Sequence, residues 1–281
     1  MTQQAMPTEV PDPLAGTYHL VRGGVLQASR GAVTPLARRV QATLHRTVLA
    51  PEFSCLAARA ALNTSAYALG CYGDLGSEAA TRGLAQDLAQ FCADQDAMAG
   101  GFTSMIAVFA GPPPPDEHAF EERLWAQLRA LHARDPRPYS PEVVADPQDP
   151  RFGFSFNGRG FFVIGLHPHS SRLARTFPYP ALVFNAHRQF RRLRETGRFE
   201  PLQRAVRRRE LAWQGSLNPN LANHGEASEA RQYSGRAVEP EWAAPFPHPP
   251  VTAESPGRCP FGYGAASAHE PPTTLQETTR E

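Results

Sequence analysis

Apolar residues recur at helical spacing in several stretches of the chain. The clearest stripe consists of Phe120, Leu124, Leu128 and Leu131, with Trp125 beside it, and is typical of an amphipathic helix. The same spacing, taken together with capping residues and helix breakers, predicts helices in other parts of the chain. The predicted helices cover 33–50, 55–62, 77–94, 116–133, 186–196 and 201–213.

Short runs of β-branched and aromatic residues predict buried strands over 66–72, 102–110, 161–164 and 181–184. Pro168 cannot donate to a strand ladder, so we expect the third strand to end near His167. Asn185 follows the fourth run and is predicted to cap the helix that begins near His187.

This mixture of elements predicts an α+β fold, in which a mixed sheet packs against helices in a single globular domain. Residues 16–238 are predicted to form that domain. Residues 1–15 are polar and rich in proline, and proline is again frequent over 239–281. Both ends are therefore predicted to be disordered.

Composition narrows the class of protein. The net charge of +1 argues against a chain built as a polyanion binder. All 28 basic residues are arginine, which is also the better residue for carboxylate and phosphate contacts. The chain's four cysteines form no CxxC pair, which leaves a zinc ribbon or redox motif without support. No apolar run has membrane-spanning length and no apolar leader opens the chain. We expect a cytoplasmic protein that binds neither membrane nor nucleic acid.

Two histidines stand at predicted strand ends, with arginines between them in the chain. His167 follows the first of the two strands and His187 follows the second, while Arg172 and Arg175 could grip an anionic ligand. The polar, irregular segment 214–236 either coats a surface or lines a pocket. No GxGxxG, Walker, HExxH or GxSxG motif is present, so nucleotide chemistry and serine hydrolysis have no direct support.

Three long motifs in the second half of the chain occur in a specific order and resemble the YqcI/YcgG family. They are GLHPHSSRLARTF, LVFNAHRQFRRLRETGRF and QGSLNPNLANHGEASEARQYSGR. The earlier block FSCLAARAALNTSAYALGCYGDLGS also resembles that family. Similar proteins include haem-dependent enzymes that hydroxylate a guanidino nitrogen of arginine or of an arginine-derived product in biosynthetic pathways. The resemblance implies haem b (iron), O2, an external electron donor and a small guanidino or amino substrate.

Two positions depart from the family pattern. Relatives commonly close with Trp-x-Cys-Pro-Phe, whereas here Trp242 is followed by Ala243, Ala244, Pro245 and Phe246. A Cys-Pro-Phe sequence occurs 15 residues later, at 259–261. Relatives also tend to carry an acidic residue and an aromatic residue where this chain has Asn-His at 223–224.

The haem implied by the resemblance needs an axial ligand and cations for its propionates. His187, in the first turn of a helix and held by a buried strand, is the predicted ligand. The alternatives are His167, Cys55 and Cys259; His167 is also a candidate catalytic residue on the oxygen side. The predicted propionate-binding residues are Arg172, Arg175 and Ser171.

A guanidinium substrate needs carboxylates that accept its hydrogen bonds. Glu229, a candidate for both catalysis and substrate binding, and Glu226 are the predicted partners, with Asn218 beside them and Asp74 less favoured. Glu229 could instead form a surface ion pair with Arg231 or Arg236.

Two other function classes remain open at this point. One is a haem- or ligand-binding protein without catalytic activity. The other is a nucleic-acid-binding module that uses the Arg188–Arg209 face, although acidic residues interrupt that face and apolar residues give it a core-facing side. A histidine hydrogen-bonded in the core is the alternative for each predicted histidine.

Overall fold

A computed structural model describes residues 16–98, 101–223 and 225–247. The chain divides into two units, Met1–Pro249 and Pro250–Glu281, and every described residue belongs to the first. The tail predicted for 1–15 lies outside the described residues, as does most of the predicted 239–281 extension.

The described residues contain one sheet of seven strands in the order β2-β1-β3-β4-β7-β6-β5. Only β3 and β4 pair in parallel, and the other neighbours are antiparallel, so the sheet is mixed. The strands are β1 (Thr17–Arg22), β2 (Val25–Arg30), β3 (Tyr67–Tyr72), β4 (Ser104–Phe109), β5 (Phe154–Phe156), β6 (Arg159–Leu166) and β7 (Ala181–Ala186).

Six α-helices accompany the sheet within the described ranges, which confirms the predicted α+β class. They are α1 (Pro35–Val48), α2 (Leu56–Asn63), α3 (Glu78–Asp94), α4 (Glu117–His132), α5 (His187–Glu195) and α6 (Phe199–Gln214). All six were predicted from spacing and caps. Ser77 caps α3 by accepting from Ala80 N, and Asp116 caps α4 by accepting from Ala119 N.

The predicted cap Asn185 is wrong. Asn185 belongs to β7, and the cap of α5 is Ala186, whose side chain makes no capping bond. Asn185 is instead buried, and its Oδ1 accepts a hydrogen bond from Ser104 Oγ on β4 at 2.7 Å. The strand therefore continues two residues further than its apolar run because a cross-strand bond satisfies the amide.

Alternate residues along β3 and β4 enter two separate apolar clusters, so both faces of the sheet are covered. On one face the core includes residues of α3, α4 and the segment 230–246. On the other face it includes residues of α1 and α2, with Trp213 of α6 packed against them.

The antiparallel register of β6 and β7 determines where the two predicted histidines lie. Phe161 pairs with Ala186 at one end of the ladder, and Leu166 pairs with Ala181 at the other. His187 follows Ala186 and His167 follows Leu166. The two histidines therefore lie at opposite ends of the β6–β7 ladder, on opposite edges of the sheet along the strand direction. With a rise of about 3.4 Å per residue, they are separated by on the order of 20 Å.

Candidate functional site

The best-defined polar cluster is built around His187, the first residue of α5. Its Nε2 lies 2.9 Å from Oε1 of Glu229, which opens a short 3-10 helix, Glu229–Gln232. Ser228 caps that helix by accepting from Ala230 N. The two side chains are only 15% and 16% exposed, so the pair is largely withdrawn from water.

Tyr233 completes the cluster from the residue after the 3-10 helix. Its hydroxyl lies 2.6 Å from the same Oε1 of Glu229 and 3.1 Å from the carbonyl oxygen of Phe161, the shorter contact being to the carboxylate, and it accepts from Phe154 N at 3.0 Å. Burial, followed by the charge of Glu229, raises the pKa of Tyr233 well above its usual value, so the phenol keeps its proton. We call these three residues the His187–Glu229–Tyr233 site.

Both hydrogen bonds of Glu229 use Oε1. Within the described residues, Oε2 makes no hydrogen bond, although Oε1 serves two partners. Arg231 donates to carbonyl oxygens, and Arg236 pairs with Glu121 and Glu239. The surface ion pair considered for Glu229 is therefore not formed, and one carboxylate oxygen is left to accept from a bound molecule.

Gly153 leaves room for the His187 ring. A Cβ atom at this position would lie 2.7 Å from His187 Nε2 and 2.6 Å from Cγ1 of Val143. Tyr139 fixes the same stretch, because its hydroxyl donates to the carbonyl oxygen of Gly153 at 2.6 Å. Burial, then the charge of Glu229, raises the pKa of Tyr139, so it too stays protonated.

Arg194 adds positive charge near the site from the next turns of α5. Burial lowers the pKa of Arg194, while the charge of Glu229 acts in the opposite direction. Its guanidinium carbon lies 5.1 Å from the ring centroid of Phe199. Gly153, Tyr139, Arg194 and Tyr233 were not singled out from sequence. Two of them fell in stretches that the sequence had marked: Tyr233 lies in the polar segment 214–236 and Arg194 lies in the Arg188–Arg209 face.

His167 lies elsewhere and has a different environment. It is completely buried, its ring stacks on Phe120 with centroids 4.2 Å apart, and neither ring nitrogen has a partner among the described residues. Burial lowers the pKa of His167 to about 4, so the imidazole is neutral near pH 7. The alternative of a core histidine bonded to a carbonyl oxygen therefore does not describe this residue.

The two arginines predicted for the propionates are engaged by protein groups. Arg172 is buried and binds Glu210 of α6 and Ser216, which follows that helix. The Arg175 guanidinium donates to the carbonyl oxygens of Gly165, Gln232 and Tyr233 at 3.0–3.3 Å, and burial lowers its pKa to about 10. Arg175 thus links the end of the 3-10 helix to β6 by hydrogen bonds. We expect its replacement to lower the free energy of unfolding.

The other residues predicted for this region do not join the site in the structure. Ser171 is exposed and donates twice to Glu117. Glu226 is exposed and accepts from Asn223, which lowers its pKa. Asn218 is buried, and its Oδ1 accepts from Asn220 N at 2.9 Å. Asp74 is exposed in the loop after β3.

The cysteine alternatives to His187 have no support from the described residues. Burial raises the pKa of Cys55, which disfavours the thiolate that would ligate iron. Cys259 lies outside the described residues. Cys71 and Cys92 are buried thiols whose pKa values burial raises to about 12 and about 11.

A cavity of about 420 Å³ lies away from the His187–Glu229–Tyr233 site, between β1 and the end of α3. Its wall includes Asp94, which already accepts from the hydroxyl of Tyr18 at 3.1 Å. The cavity contains none of the predicted site residues. We therefore place the candidate site at His187 because of its hydrogen-bonded polar side chains, although the cavity lies elsewhere.

Haem needs one protein ligand with a free lone pair, and His187 fits that requirement. Metal-bound histidines usually direct their other ring nitrogen at a carboxylate, which fixes the tautomer. Because the Nε2–H group donates a hydrogen bond to Glu229, Nδ1 keeps the lone pair of the ring.

Among the described residues, no group of three or more His, Cys, Asp or Glu is placed to hold a metal ion. The predicted propionate arginines do not fit in their present contacts.

The Arg188–Arg209 face contains many arginines that bind other parts of the protein. Arg188 pairs with Asp96, and Arg191 pairs with Glu142. Arg207 and Arg209 donate to carbonyl oxygens of neighbouring loops. These contacts give the arginines structural roles.

The fold and the site define an α+β protein with a mixed sheet and a part-buried histidine–carboxylate–tyrosine cluster. The chain belongs to the YqcI/YcgG family, whose family model matches residues 44–247. That range contains every residue of the cluster, which confirms the resemblance carried by the ordered motifs.

Two relatives from Bacillus subtilis (strain 168) are similar to this chain, and both bear the description "Uncharacterized protein". YcgG is 26% identical over 223 residues, covering 76% of this chain and 82% of the relative. YqcI is 25% identical over 194 residues, covering 65% and 75% respectively. No solved structure gives a significant match. None of the helices in the described ranges is long and apolar enough to span a membrane.

Proposed function

We propose that the protein is a haem-dependent oxygenase that hydroxylates a guanidino or amino nitrogen of arginine or an arginine-derived molecule. The observation that carries the proposal is the arrangement of Glu229. Its Oε1 holds His187 and Tyr233, and its Oε2 makes no hydrogen bond within the described residues. The Glu229 carboxylate would then accept hydrogen bonds from both the proposed metal ligand, His187, and a cationic substrate.

His187 would hold the haem, and Glu229 would fix the tautomer and orientation of its ring. Arg194, on the same helix and close enough to feel the charge of Glu229, is the cation that we expect near a propionate. His167 is the alternative ligand, because it is neutral and both its nitrogens are unpartnered within the described residues. The bound haem would supply activation of O2, with electrons from an external donor.

The protein's own residues would position the substrate. A guanidinium N–H would donate to Glu229 Oε2, forming a charge-assisted bond in a largely dehydrated place. Tyr233 keeps the carboxylate in one orientation, and Tyr139 with Gly153 keeps the wall beside His187 in place. This arrangement favours a cation over a neutral amide, because a carboxylate bonds a charged donor more strongly than a neutral one.

The test is to express the full chain with a haem precursor and record its absorption spectrum after gel filtration. We expect a Soret band that coelutes with the protein, and a product heavier by one oxygen atom when arginine, O2 and a reducing system are supplied. A Soret band without turnover of any guanidino or amino compound would favour a non-catalytic haem-binding protein. A protein that takes up no haem would refute the proposal.

A further inference from the structure

The cavity between β1 and the end of α3, which we call the β1–α3 cavity, is lined by two residues of opposite charge. They are Arg22, the last residue of β1, and Asp94, the last residue of α3. The cavity volume of about 420 Å³ lies in the range of small-molecule sites, roughly 300–1,000 Å³. Apolar side chains and hydroxyl groups complete the wall, including Leu20, Ala97, Met98, Thr64 and Ser65.

Strand geometry places Arg22 on the face of the sheet that α3 covers. Side chains alternate between the two faces of a strand, so Arg22 shares the face of Leu20, two residues earlier. Leu20 packs against the core cluster that contains residues of α3. Tyr18 belongs to that cluster, and its hydroxyl donates to Asp94 Oδ2 at 3.1 Å. Arg22 therefore extends from β1 on the same side as Asp94.

A second arginine and a second aspartate, from the same hairpin and the same helix, form a closed ion pair. Arg30, at the end of β2, donates to both carboxylate oxygens of Asp87 on α3, at 2.6 and 2.5 Å. The Tyr72 hydroxyl also donates to Asp87, at 2.8 Å. The hairpin thus faces α3 with two arginines opposite two aspartates, and the Arg30–Asp87 pair fills its own space.

The charges at the β1–α3 cavity have no such partners. Asp94 is half-buried and accepts only from the neutral groups of Tyr18 and Gln90, at 3.1 and 2.9 Å, within the described ranges. Burial, then the charge of Asp94, raises the pKa of Tyr18, so the phenol keeps its proton. The Arg22 side chain makes no hydrogen bond or ion pair with the part of the chain that the structure describes. The cavity therefore offers one anionic acceptor and one cationic donor to a bound molecule.

We propose that the β1–α3 cavity binds a zwitterionic α-amino acid with an apolar side chain. The ammonium group would donate to Asp94, and the carboxylate would accept from the Arg22 guanidinium, which can bind both carboxylate oxygens. The apolar side chain would contact Leu20 and Met98, which are themselves partly buried. A molecule with only one of the two charges would leave the other protein group without its partner, so the site selects a zwitterion.

Ser65 supplies a further polar group to the cavity wall. Its φ is +55°, in the left-handed region that favours glycine. Its Oγ accepts from Gly24 N at 2.8 Å, which links the residue to the turn between β1 and β2. A hydroxyl that accepts one hydrogen bond can still donate its proton. Ser65 would therefore donate to the carboxylate that Arg22 holds.

The β1–α3 cavity is separate from the His187–Glu229–Tyr233 site, since none of those three residues lines it. Binding of an amino acid there involves neither haem nor oxygen. The proposal therefore goes beyond the oxygenase function, and either can fail while the other stands.

The experiment is isothermal titration calorimetry of the full chain with L-alanine, L-valine, L-leucine, L-methionine and L-phenylalanine. We expect saturable binding at one site by at least one of them. The tightest binder is then compared with its amine and its acid, which for L-leucine are 3-methylbutylamine and 4-methylpentanoate. Each analogue loses one charge-assisted contact, so we expect it to bind about tenfold more weakly or worse.

Asp94→Asn and Arg22→Gln test the two charges. Asparagine keeps an acceptor for Tyr18 and Arg22 is exposed, so we expect both variants to fold, as circular dichroism will check. Each should weaken binding by about tenfold or more. The controls are Arg38→Gln on α1 and Glu52→Gln in the turn after α1, which change exposed residues outside the cavity and should keep the affinity.

Methionine methyl NMR locates the ligand. Met98 lines the cavity, whereas Met105 is buried on β4. In protein with isotope-labelled methionine methyl groups, the ligand should move the Met98 signal, identified with Met98→Leu, and leave the Met105 signal in place.

Three results would overturn the proposal. The first is that no amino acid of the series binds. The second is that the single-charge analogues bind as tightly as the amino acid, or that Asp94→Asn and Arg22→Gln keep the affinity of the unmodified protein. The third is binding that leaves the Met98 signal unmoved, because the ligand would then lie elsewhere.

Discussion

His187 and Glu229 are 42 residues apart in the chain, yet the Nε2 atom of one lies 2.9 Å from Oε1 of the other. The contact joins the start of a helix to the start of a 3-10 helix, so both ends of the bond have a fixed backbone. Each residue was predicted to act in the same reaction, in separate roles. Their contact instead makes them one functional unit.

Glu229→Gln tests substrate recognition by the free carboxylate oxygen. The amide keeps an acceptor for His187, so we expect haem content to be retained. A guanidinium loses a charged partner, which should weaken binding by about 2–3 kcal/mol. Titration of the substrate-induced change in the Soret band measures this.

Glu226→Gln is the matched control for that titration, because Glu226 is exposed and its carboxylate accepts hydrogen bonds from Asn223, away from the His187–Glu229–Tyr233 site. We expect its substrate affinity to equal that of the unmodified protein. Equal affinity in Glu229→Gln as well would remove Glu229 from the binding site.

His187→Ala tests the axial ligand. We expect loss of the ferrous–CO spectrum and its recovery when imidazole is added, because imidazole can fill the space left by the side chain. His167→Ala serves as the comparison, since it is the alternative ligand at the other edge of the sheet. A normal spectrum in His187→Ala together with loss and rescue in His167→Ala would transfer the assignment to His167.

Gly153→Ala tests whether the close approach of Gly153 positions His187. The new Cβ would lie 2.7 Å from His187 Nε2, so the ring must move and its bond to Glu229 must lengthen. Overpacking of this kind typically costs about 1–3 kcal/mol of stability. Urea unfolding measures the stability, and NMR of the imidazole measures the loss of the carboxylate contact.

Gly101→Ala provides the control, because a Cβ at Gly101 meets nothing within 4 Å. We expect its unfolding midpoint and imidazole signals to match those of the unmodified protein. A Gly153→Ala protein with unchanged stability and an unchanged His187 signal would contradict the packing argument.

His167 should make stability depend on pH. Its pKa is about 4 in the folded protein and about 6.5 when unfolded. Between these values the unfolded state binds more protons, so the free energy of unfolding falls as pH decreases from about 6.5 to 4. The full effect is about 3 kcal/mol, at about 1.4 kcal/mol per pKa unit.

Urea unfolding at several pH values across that window, with His167→Leu beside the unmodified protein, measures this contribution. The leucine variant should lose less stability on acidification. His118→Gln, which changes an exposed histidine, should keep the pH dependence of the unmodified protein. A His167→Leu protein with an unaltered pH dependence would show that His167 is not the group responsible.

The helices and the inner strands were predictable because their signals are local. The stripe that contains Phe120 and Leu124, for example, requires only the helical period and a buried face, and α4 forms there. Two hairpins were missed although the sequence carries their turns. The Asn157-Gly158 pair between β5 and β6 has positive φ at both residues, as a tight two-residue turn requires.

By itself, the sequence determined the α+β class, the positions of the helices and the family, and it singled out His187 and Glu229 as candidate site residues. The tertiary structure decided which residues share a site. Antiparallel pairing of β6 and β7 sends His167 and His187 to opposite edges of the sheet, a result that depends on strand direction. Tyr233 and Gly153 reach His187 only through contacts between distant segments, and local periodicity does not encode such contacts because it specifies burial but not partners.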